Sequence, residues 1–136
     1  ADKVAPGDWV LVHDAARPCL RPQHVGQLIA TVMATGTGGL LAEPVVDTVK
    51  QAGEDGLVQC TLDRSNLWRA QTPQMFRLEE LRGALQRALQ RGDEVTDEAS
   101  AMELAGYPVQ LVPGSTQNLK VTVAGDLSLA GWYLGQ

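Results

Sequence analysis

The sequence predicts an α/β protein built on a Rossmann-like, mostly parallel sheet that is flanked by helices and carries a protruding β-hairpin arm. Residues 9–12 form a short apolar run bounded by Gly7-Asp8 and Pro18, which is typical of a strand buried on both faces. A segment with helical periodicity and a second apolar run follow it. Because strand, helix and strand in this order favour a right-handed parallel crossover, we expect both strands in one sheet.

The first helix begins at Pro22, repeats apolar residues at three- and four-residue steps, and ends at Gly36. Residues 38–46 form the second apolar strand. Within it, Pro44 indicates either a bulge or the end of the strand.

A β-hairpin is predicted from residues 46–49 and 57–62, which are joined by a turn at 53–56. A two-stranded ribbon is seldom stable alone. This arm, spanning about residues 46–66, must therefore lie on the sheet or reach a second copy of the chain. The polar stretch 71–74 that follows it is predicted to be a stiff loop.

The second half of the chain predicts further helices and strands. Leucines at helical spacing over 78–89, with acidic residues first, basic residues last and Gly92 beyond, indicate an amphipathic helix. Thr96 is the expected N-cap of the next helix, which ends at Gly106. After it we expect two short strands, at residues 109–112 and 119–123, and then a terminal helix that is capped by Asp126.

Composition and charge exclude several classes of protein. Eleven Lys and Arg against 16 Asp and Glu leave a net charge of −5, which argues against a nucleic-acid-binding surface. No apolar run reaches membrane-spanning length and no secretory leader is visible, so we expect one cytoplasmic domain over 1–136 and no membrane partner. Cys19 and Cys60 lack metal-ligand spacing and are expected to be reduced and buried.

The sequence contains no cluster of metal ligands and no nucleophile paired with a histidine. The glycine-rich stretch 36–39 precedes a strand instead of opening a helix, so it does not match a helix-terminus phosphate site. His13, inside the first strand, is expected to be a hydrogen-bonded core residue and not a catalyst.

Cations and hydroxyls stand instead at the junctions between elements, where open α/β sheets bind ligands. Asp14 and Arg17 follow the first strand, although a turn cap and a solvated cation would explain them equally well. Arg64 follows the hairpin and suits a phosphate monoester, with a surface pairing to Asp63 as the alternative. Lys120 lies in an apolar stretch, where a position on the solvated face is the alternative.

Five short segments, taken in order, carry a resemblance to a known enzyme family. They are residues 10–18 (VLVHDAARP), 47–50 (DTVK), 63–74 (DRSNLWRAQTPQ), 96–100 (TDEAS) and 118–122 (NLKVT). Each is weak alone, but the ordered set is specific and extends along nearly the whole chain. On these residues the chain resembles the 2-C-methyl-D-erythritol 4-phosphate cytidylyltransferases, which are nucleotidyltransferases.

The resemblance implies transfer of a cytidylyl group from CTP to 2-C-methyl-D-erythritol 4-phosphate, with release of pyrophosphate, in the non-mevalonate pathway to isoprenoid precursors. It implies Mg²⁺ bound mainly through the CTP phosphates, and we expect no metal site made by protein residues. It gives Arg64 and Lys120 the catalytic role of holding the acceptor phosphate for attack. Substrate binding falls to six residues: Asp14, Ala15, Arg17, Thr48, Thr72 and Thr96.

Family members exchange the hairpin between subunits, so the resemblance implies a homodimer in which Thr48 and Arg64 complete the partner's site. The family's glycine-rich loop, which carries an Arg and a Lys and binds the CTP triphosphate, does not occur before Trp9. We therefore expect the carboxy-terminal portion of a nucleotidyltransferase domain, inactive alone, whose amino-terminal part is lost or lies on another chain.

Two alternatives remain open at this point. A related nucleotidyltransferase acting on another polyol phosphate, such as a pentitol phosphate, would retain Thr48, Arg64 and Thr72. A non-catalytic dimerisation or binding module would retain only the arm. Calorimetry with the acceptor phosphate separates the enzyme from the module, since only the enzyme should give a heat of binding.

Overall fold

The computed structural model describes residues 4–136 of the chain. It confirms an α/β fold with helices flanking a central sheet. A short 3-10 turn occupies Arg64–Asn66. The strands and α-helices in this range are, in chain order, β1 (Trp9–Val12), α1 (Pro22–Thr35), β2 (Gly39–Pro44), β3 (Lys50–Ala52), β4 (Val58–Thr61), β5 (Trp68–Arg77), α2 (Leu78–Arg91), α3 (Glu98–Leu104), β6 (Gln110–Pro113) and α4 (Ala124–Leu134).

The main sheet has the strand order β1-β5-β2-β6. β2 pairs parallel with β6, whereas β5 is antiparallel to both of its neighbours, β1 and β2. β1, β2 and β6 therefore run in one direction, and β5 is inserted between two of them against that direction. The predicted crossover joins strands of the same direction that are not hydrogen-bonded to each other.

The predicted loop at residues 71–74 is wrong, because these residues lie inside β5. Gln71 and Gln74 are only 3% and 1% exposed, and the amides of both have hydrogen-bond partners. Their polarity indicated solvent, but a buried amide whose partners are supplied by the protein can replace an apolar side chain in a strand. This strand makes the sheet mixed where a mostly parallel one was predicted.

Helices cover both faces of the sheet, because successive residues of a strand point to opposite faces. On one face, Leu28 of α1 packs in a cluster with Leu41 of β2 and Met75 of β5. On the other face, α2 and α3 cover Leu40 and Phe76. Within residues 4–136, no helix is both long enough and apolar enough to cross a membrane.

β1 differs from the buried strand that its sequence predicted. Leu11 is 42% exposed, and the described residues pair β1 with β5 alone. An apolar run indicates that a strand can be covered on both faces, but whether another element covers it depends on the packing of the whole molecule.

The predicted arm is present with shorter and shifted strands. Residues 46–49 precede β3, which pairs antiparallel with β4, and every residue of both strands is exposed. Cys60 in β4 is therefore exposed, contrary to prediction, because within residues 4–136 neither a helix nor a strand of the main sheet packs on the ribbon that carries it. Cys19 is buried as predicted, and both thiols are free.

The helix ends agree with prediction where a glycine closes them. Gly36 after α1 and Gly92 after α2 have φ values of 70° and 69°, a left-handed conformation that favours glycine. The start of α3 is corrected by one residue: Asp97, not Thr96, is the N-cap. Its carboxylate accepts a hydrogen bond from the backbone N–H of Ser100 at 2.8 Å.

Residues 119–123 do not form the predicted strand. The backbone N–H of Val121 donates to the carbonyl of Ala16 at 2.8 Å, which ties this segment to the turn after β1 instead of to a sheet neighbour. Asp126 is not the N-cap of α4, which is Val123. The Asp126 carboxylate lies at the third helical position and accepts from two backbone N–H groups just before the helix.

Replacing Gly38 with alanine in the complete gene product should lower the free energy of unfolding by about 1–3 kcal/mol. A Cβ atom there would lie 2.9 Å from the carbonyl oxygen of Met75 and against the buried Phe76 ring. Gly26→Ala in α1 is the matched control, since nothing lies within 4 Å of its Cβ. It should stabilise the protein by about 0.5–1 kcal/mol. Urea unfolding measures both, and equal stabilities would contradict the close approach at Gly38.

Candidate active site

An ion pair joins the carboxyl end of β1 to the segment before α4. Lys120 Nζ lies 3.3 Å from Asp14 Oδ2, with the side chains 51% and 32% exposed. A hydrogen bond from the Ala16 N–H, followed by the nearby Lys120 ammonium, lowers the pKa of the Asp14 carboxyl, with burial acting in the opposite direction. Asp14 is therefore ionised at neutral pH, and Lys120 is held at an accessible position beside it.

Arg17 is anchored beside this pair by backbone carbonyls. Its guanidinium donates to the carbonyl of Asn118 at 2.7 Å and to that of Ala70 at 3.5 Å. Burial lowers the pKa of Arg17 while Asp14 raises it, but an arginine remains charged at physiological pH. The guanidinium is thus a fixed cation that connects the turn after β1, strand β5 and the segment that carries Lys120.

The hydroxyl of Thr72 in β5 is held by the residues that follow β1. It accepts from the backbone N–H of Asp14 at 3.0 Å and lies 2.9 Å from His13 Nδ1. His13 Nε2 lies 3.0 Å from the carbonyl oxygen of Arg17. Because a carbonyl oxygen only accepts, Nε2 is the donor in the contact with Arg17.

A cleft of about 400 Å³ opens between the end of β1 and the start of α3, and we call it the threonine cleft. Asp14 and Thr72 line one wall, and Thr96 and Asp97 line the other. Its volume suits a small ligand, since ligand pockets begin at about 300 Å³.

A second cleft of about 350 Å³ is lined by three cations, Arg17, Arg69 and Lys120, and by one carboxylate, Asp126, and we call it the cationic cleft. Arg69 also forms an ion pair with Glu43, a buried residue of β2. Asp14 lines the first cleft and Lys120 the second, so their ion pair marks the place where the two clefts meet. Two guanidinium forks and one ammonium suit a phosphate group better than an uncharged ligand.

The structure therefore brings together most of the predicted site residues. Asp14, Arg17, Thr72 and Lys120 are linked by direct contacts, and Thr96 faces them across the threonine cleft. Ala15 lies exposed in the turn after β1. Lys120 lies outside the strands and pairs with Asp14, but its side chain is 51% exposed, so the alternative of a position on the solvated face stays open.

The arm carries the two predicted residues that the chain does not bring to the clefts. Thr48 precedes β3 and is exposed, and Arg64 is exposed in the 3-10 turn after β4. The predicted alternative partner of Arg64 is engaged elsewhere, because Asp63 accepts from the backbone N–H of Ser65 at 3.0 Å. In the described part of the chain the Arg64 side chain forms no hydrogen bond or ion pair.

Residues that support the site through hydrogen bonds are only weakly indicated by the sequence. His13 is exposed and connects Thr72 to Arg17, although it was predicted to be a core residue. Asn118 and Gln74 are each 1% exposed and were not singled out. One available signal was the pair of glutamines on either side of Thr72-Pro73, which directly precede the apolar Met75 and Phe76.

A mixed sheet with helices on both faces, and with cations and hydroxyls converging beside one strand end, defines an α/β protein with a polar candidate site at the edge of its sheet. The family model described as IspD, 2-C-methyl-D-erythritol 4-phosphate cytidylyltransferase, matches residues 2–136. The chain belongs to this family of cytidylyltransferases.

Individual relatives agree with the family match. The 2-C-methyl-D-erythritol 4-phosphate cytidylyltransferase of Aromatoleum aromaticum is 54% identical over 134 residues, which cover 98% of this chain and 56% of the relative. That of Photobacterium profundum is 51% identical over 133 residues, covering 94% and 56%. The crystal structure of the Francisella tularensis protein of that name is 39% identical, with a TM-score of 0.88, covering 98% and 62%. The chain thus spans about half the length of the curated relatives it matches.

Proposed function

We propose that the complete gene product transfers a cytidylyl group from CTP to 2-C-methyl-D-erythritol 4-phosphate and releases pyrophosphate. Membership of the cytidylyltransferase family supports the choice of both substrates. The single observation that carries the proposal is the 3.3 Å contact between Lys120 and Asp14, beside the fixed guanidinium of Arg17. Two segments distant in sequence thereby supply the cations that an acceptor phosphate requires: the turn after β1 supplies Arg17, and the segment before α4 supplies Lys120.

In this proposal the acceptor phosphate occupies the cationic cleft. One of its oxygens attacks the α-phosphorus of CTP, so that a new P–O bond forms while the bond to pyrophosphate breaks. The attacking oxygen is already an anion, and the reaction needs no general base from the protein. This agrees with His13, whose two ring nitrogens are both engaged in holding neighbouring groups.

Lys120 has the main electrostatic role. Its ammonium has three donors, so it can hold Asp14 with one and phosphate oxygens with the others. The ion pair keeps this charge in place before the substrates bind, and charge fixed in advance stabilises a transition state most effectively. Residues outside 1–136, on the same or a separate chain, would bind the triphosphate of CTP.

The proposal includes Mg²⁺ on the phosphates of CTP, where it would neutralise charge on the leaving pyrophosphate. Among residues 4–136 no three metal-ligating side chains lie together. Magnesium sites made of one or two carboxylates plus substrate phosphates are common, so the residues present fit such an ion. Asp14 lines the threonine cleft and is paired with Lys120, so the CTP phosphates would hold most of the ion's coordination.

We further infer a cytoplasmic homodimer that forms through the arm. Val46, Leu57 and Val58 are 78%, 67% and 61% exposed, and a two-stranded ribbon with such side chains is not stable without cover. A second copy of the chain would cover the ribbon and receive Thr48 and Arg64 beside its own Lys120. Arg64 would then complete the cationic cleft of the partner.

Pyrophosphate release by the complete gene product, with CTP and each candidate acceptor in turn, tests the proposed reaction. We expect kcat/KM for methylerythritol phosphate to exceed that for a pentitol phosphate by at least about tenfold, because a misfitting polyol leaves polar groups unpaired. The reverse preference would favour the related nucleotidyltransferase. No release with either acceptor, together with no heat of binding in calorimetry, would indicate a binding module.

A further inference from the structure

Two glutamines of β5 are buried beside the clefts: Gln71 lines the cationic cleft, and Gln74 lines neither cleft. Gln74 is 1% exposed and Gln71 3%. Burying an amide is unfavourable unless its donors and acceptor find partners, so the partners of each side chain show what it holds together.

Gln74 spans the gap between β5 and the start of α3. Its Nε2 donates to the carboxylate of Asp97 at 3.0 Å and to the carbonyl of Gln71 at 3.1 Å. Its Oε1 accepts from the backbone N–H of Ala99 at 2.8 Å. Both donors and the acceptor are thus used: one bond reaches Asp97, next to Thr96, and another reaches Ala99 in the first turn of α3.

Hydrogen bonds other than those of Gln74 also restrain that turn. Asp97 caps α3 through Ser100, whose hydroxyl in turn accepts from the backbone N–H of Thr96 at 3.2 Å. These bonds fix the turn to α3, which itself packs on the sheet through Ala99 and Met102. Gln74 adds direct hydrogen bonds to β5 from Asp97 in the turn and from Ala99 in α3, and Thr72 of β5 lines the same threonine cleft as Thr96.

The Gln71 amide also forms hydrogen bonds, but with a different segment from the one that Gln74 contacts. Its Nε2 donates to the carbonyl of Ser115 at 2.9 Å, and its Oε1 accepts from the Asn118 amide at 3.2 Å. It therefore ties β5 to the segment that leads to Lys120 and forms no side-chain bond with the turn of Thr96.

We propose that Gln74 is a positioning residue that sets the distance between Thr96 and Thr72 across the threonine cleft. It acts through Asp97 and Ala99 and does not itself touch substrate. The inference rests on the proposed function, because Thr96 must bind a substrate for its position to matter.

A double-mutant cycle on the complete gene product tests this inference, with KM for CTP and for methylerythritol phosphate measured separately from kcat. Thr96→Val should raise one of the two KM values, and Gln74→Met should raise the same one by about tenfold with a smaller effect on kcat. The double variant should be no worse than the poorer single variant within about twofold, because both changes remove one interaction.

Gln71→Met is the matched control, since it removes an equally buried amide three positions away in the same strand. The fold-changes in KM caused by Gln71→Met and by Thr96→Val should multiply in the double variant, as expected for two independent changes. If Gln74→Met does not fold, Asp97→Asn breaks the same contact from the other side: its amide oxygen can still cap α3 through Ser100, whereas the amide nitrogen in place of Oδ2 cannot accept from Gln74, and the same coupling to Thr96→Val is expected.

The outcomes separate the inference from the proposed function. Either of two results would overturn the positioning role while leaving the reaction intact. In the first, the fold-changes in KM of the Gln74 and Thr96 variants multiply in the double variant. In the second, Gln74→Met changes kcat alone. An unchanged KM in Thr96→Val would remove Thr96 from the site, and the positioning role of Gln74 would be overturned with it.

Discussion

Replacing Lys120 with alanine in the complete gene product should lower kcat/KM by about a thousandfold, the largest single effect expected in this chain. The side chain meets Asp14 at 3.3 Å and lines the cationic cleft, where the proposal places the acceptor phosphate. Removing it leaves the charge of the transition state without its ammonium partner and Asp14 without its counter-ion. Pyrophosphate release under saturating CTP measures the loss.

The control for this variant is Arg82→Ala, which removes one exposed cation from α2, outside both clefts. It should leave kcat/KM within about twofold of the original value, since exposed charges contribute little. Lys120→Arg keeps the charge but changes its shape, and we expect an intermediate loss. Activity of Lys120→Ala close to that of the unmodified protein would remove Lys120 from the reaction.

Mixing two inactive variants should restore activity if the arm completes the partner's site. Arg64→Ala retains Lys120, and Lys120→Ala retains Arg64, so each mixed dimer contains one site with both residues. Random exchange of subunits makes half of the dimers mixed, which predicts about a quarter of the original activity. We expect this restoration because the arm is exposed and the Arg64 side chain has no partner within the described residues.

The control pair is Lys120→Ala with Arg17→Ala, two changes that fall in the cationic cleft of the same subunit. No mixed dimer of this pair contains an intact cleft, so mixing should restore nothing. Subunits are refolded together from urea, and activity is compared with that of each variant refolded alone. Equal results for the two pairs would show that Arg64 serves its own subunit or neither.

Local sequence signals determined those elements whose stability arises within a few residues. The periodicity of α1 and α2, and the glycines that close them, predicted both helices, because caps and apolar faces act over one or two turns. The hairpin was predicted for the same reason. Asp14, Arg17, Thr72 and Lys120 were named from junction positions and from the family resemblance.

The position of β5 in the sheet and the contacts of its side chains were decided only by the tertiary structure. Gln71 and Gln74 have the composition of a loop, and they are buried because partners distant in the sequence satisfy their amides. The same holds for residues 119–123, which bond to the turn after β1 in place of a neighbouring strand. Hydrogen-bond partners far apart in the chain leave no periodic pattern, so the site's supporting network could not be predicted from the sequence alone.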